Sequence, residues 1–116
     1  IKKIKFYNSM NNFYNNVFKE IDYLLQQSDK DLLEKIIKTL KSIKKKNKKV
    51  IIIGNGGSAA IASHVSVDLT KNAKVRSINF NEADLLTCFS NDYGYEKVFS
   101  KSLEFYADKG DVVILI

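Results

Sequence analysis

Four consecutive β-branched residues followed at once by glycine, Val50-Ile51-Ile52-Ile53-Gly54, constrain this chain more than any other stretch. Such a run suits a strand covered on both faces, as happens inside a parallel sheet. The residues after it, Asn55-Gly56-Gly57-Ser58-Ala59-Ala60, read as a tight turn entering a helix of small residues. Glycine permits backbone conformations and close approaches that a side chain forbids. Ser58 is a candidate cap for the helix, whose first N–H groups would face the turn. A strand, glycine turn and helix in this order make an anion cradle, most often for phosphate.

The rest of the chain builds around that unit. From Phe6 to Gln27, apolar residues at Phe6, Met10, Phe13, Tyr14, Val17, Ile21, Leu24 and Leu25 form one helical stripe. The asparagines at 11, 12, 15 and 16 are weak helix formers, so packing must hold this helix. Ser28-Asp29-Lys30-Asp31 stops it and offers a cap to a second helix, with Leu32, Leu33, Ile36, Ile37, Leu40 and Ile43 on one side and lysines opposite. Past the central strand, the pattern predicts a helix from Ser58 to Lys71, a strand over Lys74–Phe80 and a short helix over Glu82–Phe89. A polar turn over Ser90–Glu96, a helix over Glu96–Ala107 and an apolar strand over Val112–Ile116 complete the order. Helices alternating with strands point to an α/β layered fold with a parallel sheet, preceded by two helices. Any ligand should sit at the carboxyl ends of the strands, where Gly54 to Ser58 lies.

Size and composition exclude several classes. With 116 residues the chain allows one domain, which divides into a helical arm over 1–48 and the start of an α/β core over 49–116. No apolar run approaches the roughly 20 residues that span a bilayer, and the charged N-terminus has no apolar leader core behind it. A single cysteine, Cys88, permits no internal disulfide and suits a reducing cytoplasm. The net charge of +6 would allow nucleic-acid binding, yet Arg76 is the only arginine. The densest basic run, Lys44 to Lys49, reads as a solvated surface, and no nucleic-acid motif accompanies it. The chain begins at Ile1 and ends inside an apolar run, so it is expected to be a fragment.

The glycine loop fits several templates unequally. It lacks the Gly-Lys-Ser/Thr of a Walker A loop. Gly54, Gly56 and Ala59 match a Gly-x-Gly-x-x-Ala dinucleotide fingerprint, whose acid at the end of the second strand could only be the poorly placed Glu82. A purely structural turn is a further reading. Downstream, His64 and Asp68 stand four residues apart and so share one helix face, close enough to hold one metal ion or one substrate. A histidine alone would be read as a core or surface residue.

Taken together, Ile53-Gly54-Asn55-Gly56-Gly57-Ser58-Ala59-Ala60, His64, Asn91-Asp92-Tyr93-Gly94-Tyr95-Glu96 and Val98-Phe99-Ser100 resemble the phosphoheptose isomerases. These belong to the sugar isomerase (SIS) superfamily of phosphosugar-binding domains. The resemblance covers essentially the whole chain but only the first half to two-thirds of the family's length. It implies a three-layer αβα sandwich and a cytoplasmic homotetramer with sites at subunit boundaries, the N-terminal helices joining the subunits. The implied activity is aldose–ketose isomerisation of a phosphosugar such as sedoheptulose 7-phosphate, through a metal-assisted enediol-type proton transfer. By the same resemblance, Asn55, Gly56 and Gly57 contact the sugar phosphate with Ser58 beside them, and Asn91 and Asp92 hold sugar hydroxyls. His64 becomes a zinc ligand. The family has a glutamate four residues on, as ligand and proton-transfer group, where this chain has Asp68; a carboxylate shifted by about 1 Å can cost about a hundredfold in rate. The family's Ser/Thr phosphate loop and its later glutamine and histidine have no counterpart in these residues.

A non-catalytic SIS module, binding a sugar phosphate or a protein partner, is the alternative, since the family contains a replication-initiator-binding paralogue. Other residues read as structural. Phe99, Leu103 and Tyr106 form a core stripe, and Cys88 is expected as a buried small hydrophobe. Tyr93 and Tyr95 could line the pocket, though aromatic residues near a turn more often lid the core. Ser63 and Ser100 have no partner that would make either a nucleophile.

Overall fold

The structure, a computed structural model, describes residues 2–116, with side chains from residue 10 onward. Its elements are α1 (Lys2–Gln26), α2 (Lys30–Lys45), β1 (Lys49–Ile53), α3 (Gly57–Lys71), β2 (Arg76–Asn79), α4 (Ala83–Tyr93), a 3-10 turn (Tyr95–Lys97), α5 (Val98–Tyr106) and β3 (Val112–Leu115). The chain divides into two compact units, one up to Glu34 and one from Lys35 to Ile116.

In the first unit the expected helix forms, and Asp29 caps the next one by accepting the Leu32 N–H at 3.0 Å. The apolar stripe is not buried: Phe13, Ile21, Leu24 and Leu25 are all exposed, as are Phe18 and Tyr23 away from it. Phe6, the first residue of that stripe, lies outside the residues whose side chains are described.

The second unit is built on a three-stranded parallel sheet of order β2-β1-β3. Ile51 pairs with Ile78 on one side and Val113 on the other. Because alternate strand residues point to opposite faces, β1 serves two cores. Val50 and Ile52 join Ile43, Ala62 and Val75, with Leu40 of α2 and Val65 and Leu69 of α3 packed against them. Ile51 and Ile53 join Phe80 on the other face, with Leu85 of α4 and Phe99 and Leu103 of α5. The three layers implied by the resemblance are therefore present, and every residue of β1 is buried.

Two segments depart from the expected pattern. The helix expected to stop at Phe89 continues through Ser90, Asn91, Asp92 and Tyr93, where a polar turn was expected. Phe89 packs edge-on against Tyr93 one turn later, at 5.5 Å, and against Phe105 of α5 at 5.8 Å. These contacts carry the helix past its polar residues, which face solvent. It stops at Gly94, whose φ of 87° a side chain rarely adopts. The α5 stripe holds at Phe99 and Leu103, but Tyr106 is about half exposed at the edge, its ring 5.7 Å from Phe80.

The lysine run also needs correcting at its last residue. Lys49 opens β1 and is buried, not solvated. Its Nζ lies 2.7 Å from Asp108 Oδ2 and 2.6 Å from Asp111 Oδ2, and its backbone N–H donates to Asp111 Oδ1 at 2.9 Å. Asp111 also accepts the Asp108 N–H. Burial opposes ionisation of Asp111, but the hydrogen bonds from Lys49 and from the two backbone N–H groups outweigh it and hold the carboxyl at about 2, against 3.8 ordinarily. The hydrogen bonds that Lys49 donates to Asp108 and Asp111 raise it above its usual 10.5.

This cluster predicts a graded response. Asp111→Ala should destabilise the fold by about 3 kcal/mol, because it strips a buried charge of its buried partner. Asp108→Ala, whose side chain is 70% exposed, should cost less than about 1 kcal/mol. Since the folded state lowers the Asp111 pKa, its contribution of about 2 kcal/mol is complete above the unfolded value and is lost as pH falls from about 4 to about 2. Urea unfolding of both variants across that range checks the order and the acid limb.

Candidate functional site

The carboxyl end of β1 is a topological switch point. The chain leaves it through α3 to reach β2 on one side, and returns through α4 and α5 to place β3 on the other. Open parallel sheets bind ligands in the crevice that this reversal creates. The loop from Gly54 to Gly57 stands there, and its glycines do different work. A Cβ on Gly54 would lie 2.4 Å from the Ser58 carbonyl oxygen, so the strand and α3 meet too closely for any side chain. Gly56 has φ 58° and ψ −122°, a conformation open to glycine, and it is the residue that caps α3. At Gly57 a Cβ would meet open space.

The expected cap at Ser58 is corrected: Ser58 is already inside α3, and no side chain caps that helix. Its own N–H donates to the Asn55 carbonyl at 3.1 Å, and those of Ala59 and Ala60 donate to the Gly56 carbonyl. The turn thus satisfies the helical donors of Ser58, Ala59 and Ala60 itself. Among the described residues, the N–H groups of Gly56 and Gly57 have no acceptor, next to the exposed side chain of Asn55.

Asn91 and Asp92 occupy the last turn of α4, both exposed, with Asn91 Nδ2 donating to Asp92 Oδ1 at 2.9 Å. The turn after them reaches the loop. Tyr95, set by Gly94 at the start of the 3-10 turn, donates its hydroxyl to Asn55 Oδ1 at 2.9 Å across 40 residues of sequence. Of the two roles the sequence allows Tyr95, pocket lining and core lid, the structure does not support the lid: the side chain is exposed and bonded to a predicted site residue. No spacing rule could have found this, because it depends on where α4 ends. Cys88 is exposed, contrary to the buried role expected, with its thiol 3.6 Å from Asp92 Oδ2; that carboxylate pushes the thiol up.

His64 and Asp68 share one face of α3, with Nε2 and Oδ2 3.5 Å apart and both side chains exposed. Gly57, His64 and Asp68 fall on the same side by helical periodicity, and His64 stands about 10 Å along the axis from the loop. Asp68 Oδ1 also accepts Asn72 Nδ2 at 3.1 Å. Imidazole and carboxylate are zinc donors, and a zinc ion takes about four. Among the described residues no third histidine, cysteine or acidic group gathers with this pair, so these residues fit a metal only as half of its ligands. No hydrogen bond or ion pair among the described residues joins the pair to Asn91, Asp92 or Asn55. A separate groove of about 550 Å³ lies between β2 and α4, lined by Ile78, Phe80, Leu85, Cys88, Phe89 and Tyr106 among others. Its polar lining is Asn79, Glu82 and Asp84, with no cationic side chain to receive a phosphate, and of the ligand-binding candidates it holds only Glu82.

Comparison with known proteins agrees with this arrangement. No family model matches the chain. It is 34% identical over 97 residues to the phosphoheptose isomerase of Fusobacterium nucleatum subsp. nucleatum, covering 79% of this chain and 50% of that protein. With the phosphoheptose isomerase of Helicobacter pylori it shares 38% over 96 residues, 78% of this chain and 48% of the relative. The structure of phosphoheptose isomerase from Neisseria gonorrhoeae superposes with a TM-score of 0.78 at 27% identity, covering 91% of this chain and 60% of that one. The isomerase from Francisella tularensis gives the same TM-score at 19% identity, a likeness of fold. The architecture is that of the SIS class of α/β domains. The chain belongs to the phosphoheptose isomerase family, and it spans about half the length of the curated relatives it matches.

The glycine geometry yields a pair of contrasting expectations. Gly54→Ala should destabilise the domain by about 2 kcal/mol or more, since backbone must move to admit the methyl. Gly57→Ala should leave stability unchanged or raise it by about 0.5 kcal/mol. Thermal unfolding of the two variants decides between this division of labour and a loop that needs all its glycines.

Proposed function

We propose that this protein takes part in aldose–ketose isomerisation of a phosphosugar of the sedoheptulose 7-phosphate type. The single observation that carries this reading is the meeting of the Asn55–Gly57 loop with the Asn91–Tyr95 corner at the switch point, in a chain of this family. An open-chain sugar phosphate presents many hydroxyls, and Asn91, Asp92 and Asn55 offer acceptors and amide donors for them. Gly56 and Gly57 add unpaired backbone donors, and the open space at Gly57 lets a ligand approach the backbone.

In this reading Asp68 takes the proton from the hydroxyl-bearing carbon beside the carbonyl and returns it to the former carbonyl carbon, while the hydroxyl proton passes from the one oxygen to the other, so the carbonyl moves by one position with no net change in composition. Its carboxylate is exposed, with Oδ2 3.5 Å from His64 Nε2, so the imidazole stands beside the oxygen that would take the proton. His64 and Asp68 would hold a zinc ion together with donors from outside these residues. A bound zinc would polarise the carbonyl oxygen and make the adjacent proton easier to remove. A homotetramer formed through the N-terminal helices belongs to the same proposal, supported by the exposed apolar residues of α1. So does a cytoplasmic location, in keeping with the lone cysteine. None of the described helices is long and apolar enough to cross a membrane.

A non-catalytic sugar-phosphate module is favoured by one observation: Asp68, one methylene shorter than the family's glutamate, already accepts a hydrogen bond from Asn72. The test is isomerisation of sedoheptulose 7-phosphate by the full-length gene product with zinc. Asp68→Asn should lower kcat by about a hundredfold or more, while Asp68→Glu should retain or exceed the parent rate. Equal rates in all three proteins would remove Asp68 from the chemistry, and no turnover by the parent would favour the binding module.

A further inference from the structure

We propose that Tyr95 is a positioning residue that fixes the amide of Asn55, so that its Nδ2 donates to an oxygen of the bound sugar phosphate. This inference rests on the phosphosugar reading above. It is carried by the 2.9 Å hydrogen bond from the Tyr95 hydroxyl to Asn55 Oδ1. An asparagine amide has one acceptor end and one donor end. With a phenolic donor on Oδ1, the donor end is left to face whatever else approaches the loop.

The two partners differ in how firmly they are held. Asn55 is an exposed side chain in a loop, and the tyrosine hydroxyl is its only described side-chain partner. Tyr95 opens a 3-10 turn pinned at both ends. The Gly94 N–H donates to the Ser90 carbonyl at 3.1 Å, and the Lys97 N–H donates to the Gly94 carbonyl at 3.0 Å. Val98, directly after the turn, is 1% exposed and anchors it to the core. Gly94 is needed for this path, because its φ of 87° is one that a side chain rarely adopts. The rigid corner therefore lends its geometry to the loop side chain, and the ordering of Asn55 is settled before a ligand arrives. Asn91 and Asp92 sit on the helix that ends at this corner, so one element sets both walls of the site.

The test is a double-mutant cycle on Tyr95→Phe and Asn55→Ala, read by calorimetric titration with sedoheptulose 7-phosphate and by thermal unfolding. Tyr95→Phe should weaken binding about three- to tenfold in the parent and by less than about twofold when Asn55 is already alanine, with the unfolding midpoint held. Equal losses in both backgrounds, or no loss in the parent, overturn the positioning role. The Asn55 side-chain NH2 resonances, observed in labelled protein without ligand, supply a readout that survives if Asn55→Ala abolishes binding. They should shift and lose their distinct orientation in Tyr95→Phe, and unchanged resonances overturn the proposal. If the parent binds no sedoheptulose 7-phosphate while those resonances do shift, the contact stands and the phosphosugar reading falls.

Discussion

The complete burial of β1 is the constraint on which the rest of the Lys35–Ile116 unit depends. Val50, Ile51 and Ile52 expose nothing to solvent, so both faces of the strand must be covered and both edges paired. An isolated sheet could not do this. One face takes the end of α2 together with α3, and the other takes α4 and α5. Covering both faces forces the chain to cross from one side of the sheet to the other, and that crossing places β2 and β3 on opposite edges of β1. The crevice at the carboxyl end is thus a by-product of hiding four β-branched side chains.

The two ends of β1 solve opposite problems. At the amino end, Lys49 places an ammonium and a backbone N–H where water is scarce, and Asp111 answers both groups with its two oxygens. Charge there is spent on holding β1 beside β3. At the carboxyl end the Asn55 and Gly56 carbonyls take up the N–H groups of Ser58, Ala59 and Ala60, and the N–H groups of Gly56 and Gly57 are left without an acceptor among the described residues. Stability and ligand chemistry are segregated along a single strand, so residues at one end can change without disturbing the other.

The sequence was most informative where a local pattern had one physical reading. The β-branched run followed by glycine marked β1, and the Asp29 cap, Leu40 and Ile43 of α2, and Phe99 and Leu103 of α5 were visible as spacing, whereas Leu32, Leu33, Ile36 and Ile37 of the α2 stripe are exposed. It was least informative where long-range contacts overruled local preference. Ser90, Asn91 and Asp92 look like turn residues, yet Phe89 and Tyr93 carry the helix through them. Ser58 looks like a cap, but α3 begins at Gly57 with Gly56 in the cap position, in a backbone conformation that favours glycine. Lys49 looks like one more solvated lysine until Asp111, 62 residues on, folds over it. The candidate site divides similarly: His64 with Asp68 followed from helical periodicity, whereas the bond between Tyr95 and Asn55 needed the third dimension.

The open space at Gly57 has a practical consequence. It is the place in the loop where a side chain can be added without pressing on the fold. A bulky side chain introduced there would fill the space by which a ligand reaches the N–H groups of Gly56 and Gly57, and would leave the contacts that hold the strand and helix together untouched. Loss of ligand binding could then be read apart from loss of the fold.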